Sequence, residues 1–277
     1  MDARRRRALA LAAALAVASV ATGQGVNEDL DTPFVITPTN VVTAMLDLAR
    51  VAPGDRLVDL GSGDGRIVVA AAQRGATAVG IEIDERLVTR SRETARRLRL
   101  EDRATFVTQD LFETDLSSAN VVTLYLLPDV NRRLAPRLLA TLNPGTRIVS
   151  HDYGLGAWPP DASIVVDAPD KPVNVEKKSR LFYWVVPARL GGRWTGRASD
   201  APLSLEIVQQ YQRVSGALRF AGRELAFTDR SVDGDRLALA FASPGGNVDV
   251  ALRLRGSVLT GELREAGRAP LPITLSR

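Results

Sequence analysis

Three glycines, Gly61, Gly63 and Gly65, stand between a short apolar run at residues 57–60 and a helical stretch at residues 67–73. Glycine permits a positive φ angle and lets the backbone approach a ligand closely. The first turn of the following helix offers free N–H groups and the positive end of a helix dipole. A strand, a glycine turn and a helix in this order are typical of a nucleotide-type cofactor site.

Acidic residues at this turn distinguish between two kinds of cofactor. The dinucleotide fingerprint G-x-G-x-x-G/A holds a pyrophosphate at the helix N-terminus. The spacing here is G-x-G-x-G, with Asp59 before the turn and Asp64 inside it. Two carboxylates would repel a pyrophosphate and attract a ligand that carries an ammonium and a sulfonium group. That description fits S-adenosylmethionine (SAM), and a nicotinamide dinucleotide is the alternative cofactor.

Two further acids end the next apolar runs of the chain. Glu82 closes the run at residues 78–81 and lies 17 residues after Gly65, where such folds use an acid to hold both ribose hydroxyls. Asp110 follows the run at residues 105–108. Three strands that each end in an acid indicate one ligand site at the edge of a parallel sheet. Acids that merely cap helices are the alternative explanation.

The elements that must position these residues are a parallel sheet and its helices, since apolar runs alternate with helical periods over residues 33–189. Thr37 is predicted to cap a first helix, with Pro38 at the first helical position. A fourth strand is predicted at residues 121–127, and the helix after it is predicted to restart at Pro136. The remaining strands of a seven-stranded sheet are predicted at residues 147–150, 164–166 and 181–186.

From residue 190 onward the chain changes to short alternating runs separated by glycine-rich turns. Regular spacing of this kind predicts a second domain, residues 190–277, that is a small antiparallel barrel or sandwich of about 85 residues. The runs lie at residues 203–208, 217–220, 225–227, 237–241, 248–254, 258–263 and 271–275.

The N-terminal residues have the pattern of a secretory signal. Arg4–Arg7 precede an apolar run at residues 8–20, and small residues follow it. We expect a leader at residues 1–23 and a linker at residues 24–32, and therefore an exported, periplasmic or membrane-associated protein. Membrane contact is expected only through an uncleaved leader. If the leader is not functional, the protein is cytoplasmic.

The composition excludes several other chemistries. The chain has no cysteine and a single histidine, so a cysteine nucleophile is excluded and a histidine-rich metal site is implausible. Without residues 1–23, the 36 basic and 32 acidic residues become 32 and 31. Nucleic-acid binding needs a sustained basic face, so no nucleic-acid partner is expected. A monomer is expected.

Five motifs between residues 33 and 187 resemble those of class I SAM-dependent methyltransferases. They are PFVITP at 33–38, DLGSGDGR at 59–66, QDLF at 109–112, TLYLLP at 123–128 and PGTRIVSH at 144–151. Together they are similar to the bacterial and archaeal protein-lysine methyltransferases related to mitochondrial enzymes that act on the ATP synthase c-subunit and the adenine nucleotide carrier. The fold class expected is α/β, a Rossmann-like seven-stranded methyltransferase sheet with a small C-terminal all-β barrel or sandwich.

The resemblance also implies roles for individual residues. Asp59, Asp64 and the glycines between them would line the methionine end of SAM, and Glu82 would hold the ribose. Asp110 and Leu111 would meet the adenine. The segment from Phe34 to Thr37 would cover the cofactor. The full set of candidate cofactor-binding residues is Phe34, Thr37, Asp59, Gly61, Ser62, Gly63, Asp64, Gly65, Glu82, Asp110 and Leu111.

Two residues are candidates for the acceptor side of the reaction. Methyl transfer from a sulfonium is an in-line displacement that alignment and desolvation accelerate, and a lysine acceptor must first lose a proton. Tyr125, at the end of the fourth strand, is predicted to line the acceptor slot and orient the amine. His151, at the end of the fifth strand, is predicted to take up a proton at neutral pH. The alternative for Tyr125 is an aromatic residue that only covers the sheet edge. The alternative for His151 is a hydrogen-bonded structural residue.

Three functions stay open at this point: methylation of a protein lysine, methylation of a small-molecule amine, and a binding protein whose β domain carries the function while the sheet only holds SAM. The intact acids favour an enzyme. Little chain is available between Leu127 and Asn143 to roof a pocket, which favours a macromolecular acceptor. The β domain would then be a substrate-docking module.

Overall fold

A computed structural model describes residues 34–173, 176–242 and 246–277 of the chain. The chain divides into two compact units between Val35 and Ile36. Every helix and strand of the described residues lies in the second unit. The leader and the linker that the sequence predicts lie outside the described residues. Within the part that is described, no helix is both long enough and apolar enough to span a membrane.

A seven-stranded sheet forms the first part of the second unit. Its strands are β1 (Arg56–Leu60), β2 (Thr77–Glu82), β3 (Ala104–Thr108), β4 (Val121–Leu124), β5 (Arg147–His151), β6 (Ala162–Asp167) and β7 (Lys178–Val185). The α-helices of the described residues are α1 (Thr39–Leu48), α2 (Arg66–Gln73), α3 (Glu85–Arg97) and α4 (Pro128–Thr141). The strand order is β3-β2-β1-β4-β5-β7-β6, and β7 is antiparallel to both of its neighbours. This arrangement confirms the α/β sheet that the sequence predicts.

Helices cover the two faces of the sheet. Met45 of α1, Val68 of α2 and Val88 of α3 pack in one apolar core with Val121 and other residues of the sheet. The second core contains α4 and two tryptophans of the sheet region. Because the central strands are buried on both faces, they are continuous apolar runs rather than alternating ones, which is why they are recognisable in the sequence.

Eight antiparallel strands close into a barrel after the sheet. They are β8 (Gly192–Ala198), β9 (Ala201–Gln210), β10 (Arg213–Phe220), β11 (Arg223–Asp233), β12 (Arg236–Phe241), β13 (Val248–Arg255), β14 (Val258–Glu265) and β15 (Leu271–Ser276). Buried and exposed residues alternate along β12 and β13, so their apolar side chains fill the interior, as expected of a barrel this small. The predicted barrel is confirmed. The predicted domain boundary at residue 190 falls in the connection between β7 and β8 and stays a prediction.

The barrel is joined to the amino-terminal edge of the parallel strands. Val185, the last residue of β7, pairs with Arg147, the first residue of β5. From there Arg189 donates to the carbonyl oxygens of Leu139 and Ala140 at the end of α4, at 3.1 and 3.2 Å. The glycine turn follows the carboxyl end of β1, so the barrel and the turn lie toward opposite edges of the sheet.

Three local predictions were wrong. Thr37 does not cap α1: the N-cap is Pro38, and within the described residues no side chain caps this end. The Thr37 hydroxyl is buried and faces His151 instead. The helix after β4 does not restart at Pro136 but runs through it, since one missing N–H is tolerated when Leu134 and Leu138 are buried in the core. The fourth strand ends at Leu124, before the predicted limit.

Candidate active site

Hydrogen bonds hold the glycine turn between β1 and α2 against the end of β2. The backbone N–H groups of Gly61 and Ser62 both donate to the carbonyl oxygen of Ile81, each at 2.9 Å. Gly61, Gly63 and Gly65 have φ angles of 74°, 53° and 77°. A Cβ atom on Gly65 would lie 2.5 Å from the ring of Phe106, so both the backbone angle and the space require glycine here.

Glu82 organises the glycine turn from the end of β2. Its Oε2 atom accepts a hydrogen bond from the N–H of Gly63 at 2.8 Å. Its Oε1 atom accepts from the N–H groups of Ile83 and Asp84, at 2.9 and 3.1 Å. The carboxylate therefore satisfies three backbone donors at the point where a cofactor would be held. Its role toward a ribose stays a prediction.

Asp59 is a buried acid beneath the turn. It is 2% exposed, and the Thr123 hydroxyl on β4 donates to its Oδ1 atom at 2.7 Å. Burial raises the pKa of Asp59 to about 7 against the lowering effect of the Thr123 hydrogen bond, and the nearby charges of Glu82 and Asp64 add to the increase. Because a neighbouring cation favours an ionised carboxylate, this acid is suited to a positively charged ligand.

Asp64 already has a cationic partner within the protein. The Arg66 guanidinium meets it with Nε 2.8 Å from Oδ1 and a terminal nitrogen 2.5 Å from Oδ2. The other terminal nitrogen of Arg66 donates to the carbonyl oxygen of Thr37 at 2.8 Å. Asp64 and Arg66 thus tie the turn to the segment before α1. The predicted contact of Asp64 with the methionine end of SAM stays a prediction.

Asp110 and Leu111 follow β3 near the same sheet edge. Thr108, at the end of β3, pairs with Glu82, so Asp110 comes two residues beyond that pair. Asp110 is exposed, and its Oδ1 accepts from the N–H of Phe112 at 2.8 Å, which caps a short 3-10 turn that begins at the half-buried Leu111. Phe34 is half-buried and belongs to the other compact unit. The assigned contacts of these residues with SAM stay predictions.

The residues at the turn fit SAM better than a dinucleotide. Asp59 is a buried acid that a cation would ionise, and Glu82 lies beside it at the end of the neighbouring strand. The hydroxyl of Ser62 is buried and has no hydrogen-bond partner among the described residues, so a polar ligand group could satisfy it. An anionic pyrophosphate would meet two carboxylates here.

Tyr125, the residue predicted to line the acceptor slot, directly follows β4. Its ring lies against the ring of His151, with centroids 3.9 Å apart. Its hydroxyl donates to Oδ2 of Asp152 at 3.2 Å. Burial raises the pKa of Tyr125, and the charge of Asp152 raises it further. The hydroxyl is therefore protonated and neutral at physiological pH.

The expectation that His151 takes up a proton at neutral pH is corrected by its surroundings. The side chain is 0% exposed. Its Nδ1 lies 3.3 Å from the Thr37 hydroxyl and its Nε2 lies 2.8 Å from the Ser179 hydroxyl. Burial lowers the pKa of His151 to about 4, with an opposing contribution from Asp152. The neutral imidazole supports the ring of Tyr125.

Two residues of this cluster were not among the main candidates from the sequence. Asp152 was a weaker candidate beside His151, and its hydrogen bond with the Tyr125 hydroxyl was not predicted. Lys171 is buried and donates to Oδ2 of Asp152 at 2.5 Å. Lys171, Lys177 and Lys178 are the three lysines of a chain whose other 33 basic residues are arginines. The rarity of lysine was the available signal, but it does not distinguish the buried Lys171 from the exposed Lys177 and Lys178.

Comparisons with known proteins match this part of the chain to methyltransferases. The model of the ANTKMT methyltransferase domain matches residues 59–162. A protein-lysine N-methyltransferase of Saccharolobus islandicus (strain REY15A) is 41% identical over 137 residues, which are 49% of this chain and 85% of that protein. The human ATP synthase c-subunit lysine N-methyltransferase is 36% identical over 129 residues, 47% of this chain and 55% of that protein.

A solved crystal structure is similar to this chain in both sequence and fold. The crystal structure of an RNA methyltransferase from Salinibacter ruber in complex with S-adenosyl-L-homocysteine is 46% identical, with a TM-score of 0.50, and is covered over 96% of its length by 56% of this chain. The fold and the site therefore define a SAM-dependent methyltransferase. The chain belongs to the family of protein-lysine N-methyltransferases that share the ANTKMT methyltransferase domain. The resemblance found in the sequence is confirmed.

Proposed function

We propose that this enzyme transfers a methyl group from SAM to the ε-amine of a lysine residue in a protein. Relatives that share its methyltransferase domain are named protein-lysine and ATP synthase c-subunit lysine N-methyltransferases. The structural observation that carries the proposal is the placement of Tyr125. Thr123 on the same strand holds the buried acid of the cofactor turn, and two residues further along the neutral hydroxyl of Tyr125 is held by Asp152.

The reaction requires orientation and desolvation from the protein rather than a protein nucleophile. When bound, SAM supplies a methyl group that is activated by a sulfonium leaving group. Asp59 and Glu82 are the residues that would hold its charged and ribose portions. Because the Tyr125 proton is donated to Asp152, the lone pairs of the phenolic oxygen stay available to accept an N–H of the acceptor amine. A shielded slot beside that oxygen lowers the pKa of a lysine amine from about 10.4 and so favours the neutral nucleophile.

The short connection between β4 and α4 bears on the size of the acceptor. Helix α4 begins at Pro128, three residues after Tyr125, and continues to Thr141. This connection therefore contributes a helix and no inserted lid. The barrel is joined to the opposite edge, where Val185 pairs with Arg147. A β4–α4 connection without a lid suits a side chain presented by a macromolecule.

RNA is the second candidate acceptor. It is favoured by the Salinibacter ruber structure, which is named as an RNA methyltransferase and is 46% identical. A nucleic acid would need a basic surface, and α3 presents exposed arginines: Arg86, Arg90, Arg92, Arg96 and Arg97. The balanced charge of the chain outside the leader favours protein over RNA.

The proposal is tested by locating the transferred methyl group. Purified enzyme is incubated with methyl-labelled SAM and a lysate of the source cells, and protein, RNA and small molecules are then separated and counted. We expect label in a protein band that yields methyl-lysine after acid hydrolysis. Label in the RNA fraction would favour the second candidate, and label confined to small molecules would contradict both.

Tyr125→Phe provides the matched structural test. It removes the hydroxyl that faces Asp152 and keeps the ring that packs on His151. We expect kcat to fall by about 10- to 100-fold with SAM affinity unchanged, as for loss of one hydrogen bond to a charged group. Tyr153→Phe removes a nearby hydroxyl that is 38% exposed and serves as the control. Equal activity in both variants would remove Tyr125 from the acceptor site.

We further propose that the enzyme is exported as a monomer. Export is supported by the leader pattern at residues 1–23. N-terminal sequencing of the protein isolated from its native cells would show a new N-terminus near residue 23 if the leader is removed. Light scattering during gel filtration would give the mass of one chain. An intact N-terminus on soluble cytoplasmic protein would contradict export, and a larger mass would contradict a monomer.

A further inference from the structure

Lys171 carries a charge into the interior of the methyltransferase part of the chain. Its side chain is 1% exposed. We infer that Lys171 is a positioning residue: its ammonium group holds Asp152, and through it the Tyr125 hydroxyl, in the orientation that receives the acceptor amine. The inference rests on the proposed function and deepens it.

The contacts of the ammonium group are specific. Its Nζ atom donates to Oδ2 of Asp152 at 2.5 Å and to the carbonyl oxygen of Lys178 at 2.9 Å. The backbone N–H of Lys171 donates to the carbonyl oxygen of Ala168 at 3.0 Å, and the Lys177 ammonium donates to the Lys171 carbonyl oxygen. A buried charge is costly unless it is paired and hydrogen-bonded, and both conditions are met here.

Asp152 is fixed from the backbone as well. Its φ angle is 62°, in the left-handed region that few residues other than glycine adopt. Its N–H donates to the Arg180 carbonyl oxygen at 2.7 Å, and its Oδ1 atom accepts from the Arg180 N–H at 3.2 Å. The second oxygen, Oδ2, receives both Lys171 and Tyr125. This one oxygen therefore joins a buried cation to the hydroxyl of the acceptor side.

This arrangement fixes the direction in which the Tyr125 hydroxyl points. With Lys171 in place, the Asp152 charge is compensated and its Oδ2 atom is held where the Tyr125 proton points. Without the cation, an unpaired carboxylate would rotate toward solvent or other donors, and the Tyr125 hydroxyl would lose its fixed acceptor. A role confined to tying down the connection between β6 and β7 would instead leave Tyr125 unaffected.

The first test needs no acceptor and no cofactor. The chain contains four tyrosines, so protein labelled at the tyrosine Cζ position gives a simple carbon spectrum, in which Tyr125→Phe identifies one resonance. We expect Lys171→Met to shift the Tyr125 resonance and leave the other three in place. Lys178→Met is the matched control, since it removes an exposed lysine seven positions away. A Tyr125 resonance that does not move in Lys171→Met would overturn the inference.

The second test separates positioning from binding. We expect Lys171→Met to lower kcat by about 10- to 100-fold, with the Kd for SAM within about twofold of that of the unmodified enzyme. Lys171→Arg keeps the charge and should recover a large part of the loss. Loss of activity that Lys171→Arg does not recover, or a parallel loss of SAM affinity, would contradict a positioning role.

The two tests distinguish failure of the proposed function from failure of the inference about Lys171. If the unmodified enzyme forms no methyl-lysine, the proposed acceptor is wrong, but the resonance of Tyr125 still reports on its link to Lys171. If Lys171→Met does not fold, Asp152→Asn takes its place, because it removes the charge and preserves the shape of the side chain. The same shift of the Tyr125 resonance is expected, and its absence would again overturn the inference.

Discussion

The indole nitrogen of Trp158 donates to Oε1 of Gln212 at 3.0 Å, and the amide nitrogen of Gln212 donates to the carbonyl oxygen of Pro159 at 2.7 Å. Trp158 lies in the connection between β5 and β6, and Gln212 lies in the turn between β9 and β10. The Tyr211 ring stacks on Trp158 with centroids 6.3 Å apart. The barrel therefore braces the connection between β5 and β6 near the start of β6, whereas Asp152 lies at the other end of this connection.

Gln212→Ala should destabilise the protein. It leaves the buried Trp158 N–H and the Pro159 carbonyl without these partners, and an unsatisfied buried group costs about 1–3 kcal/mol. Urea unfolding followed by tryptophan fluorescence measures the loss. Gln210→Ala removes an exposed glutamine of the same hairpin and should change the free energy of unfolding by less than about 0.5 kcal/mol. Coincident unfolding curves for the two variants would show that the brace contributes little.

Glu82→Ala should weaken SAM binding by about 10- to 100-fold. The estimate corresponds to losing hydrogen bonds to a charged group, at about 1.4 kcal/mol for each factor of ten. The variant also releases the N–H groups of Gly63, Ile83 and Asp84. Calorimetric titration with SAM measures the change, and Glu85→Ala, in the first turn of α3, is the control. Unchanged affinity in Glu82→Ala would remove the ribose assignment.

Gly65→Ala should destabilise the fold more than Gly54→Ala. Both glycines have positive φ angles, 77° and 90°, so both variants incur the backbone cost. Only at Gly65 would the new methyl group meet Phe106, whereas Gly54 has open space around it. Overpacking adds about 1–3 kcal/mol, and the midpoints of urea unfolding compare the two. Equal losses would mean that the Phe106 ring moves aside without cost.

SAM affinity should rise with pH between 6 and 8. The pKa of Asp59 is raised from 3.8 to about 7, so the carboxyl is mostly protonated at pH 6 and mostly ionised at pH 8, and a cationic ligand prefers the ionised form. The expected gain is about tenfold. Titrations at three pH values measure it, and 5′-methylthioadenosine, which lacks both positive charges, is the control ligand. Asp59→Asn should abolish the dependence, and a flat profile in the unmodified enzyme would contradict the assignment.

The same raised pKa affects the stability of the ligand-free protein. A carboxyl whose folded-state pKa lies above its unfolded value contributes stability that is complete below about pH 4 and is lost as pH rises through about 7. Asp59→Asn should therefore increase stability at pH 8 relative to pH 5, compared with the unmodified chain. Urea unfolding at the two pH values measures this, and an unchanged difference would contradict burial of the charge.

The sequence predicted the parts of the fold that depend on short segments. Runs such as Val121–Leu124 are buried on both faces, so composition alone marks them as strands. Strand β8, with two glycines and two arginines among its seven residues, has no such mark and was not predicted. Its pairing with β15 joins positions about eighty residues apart, as in Ile273 with Ala198, and such long-range partners leave no local pattern.

Some residues of the candidate site could be identified from the sequence, and others could not. Asp59 and Glu82 were candidates from the sequence because each lies at or near the end of a predicted strand, and parallel strands bring such ends together. Lys171 and Asp152 could not be paired from the sequence. Their contact depends on the antiparallel register of β7, which places Leu181 opposite His151. The role of Thr37 was likewise decided by a histidine 114 positions away, which outweighed its local preference for a helix cap.

The attachment of the barrel at the amino-terminal edge separates its sequence from the cofactor residues. A parallel strand of five residues spans about 16 Å, and the acids stand at one end of that span while Val185 leads into the barrel at the other. The family model ends at residue 162, before the first barrel strand at Gly192. Because the barrel joins the edge that carries none of these acids, a change in the barrel sequence leaves the residues at the carboxyl edge in place.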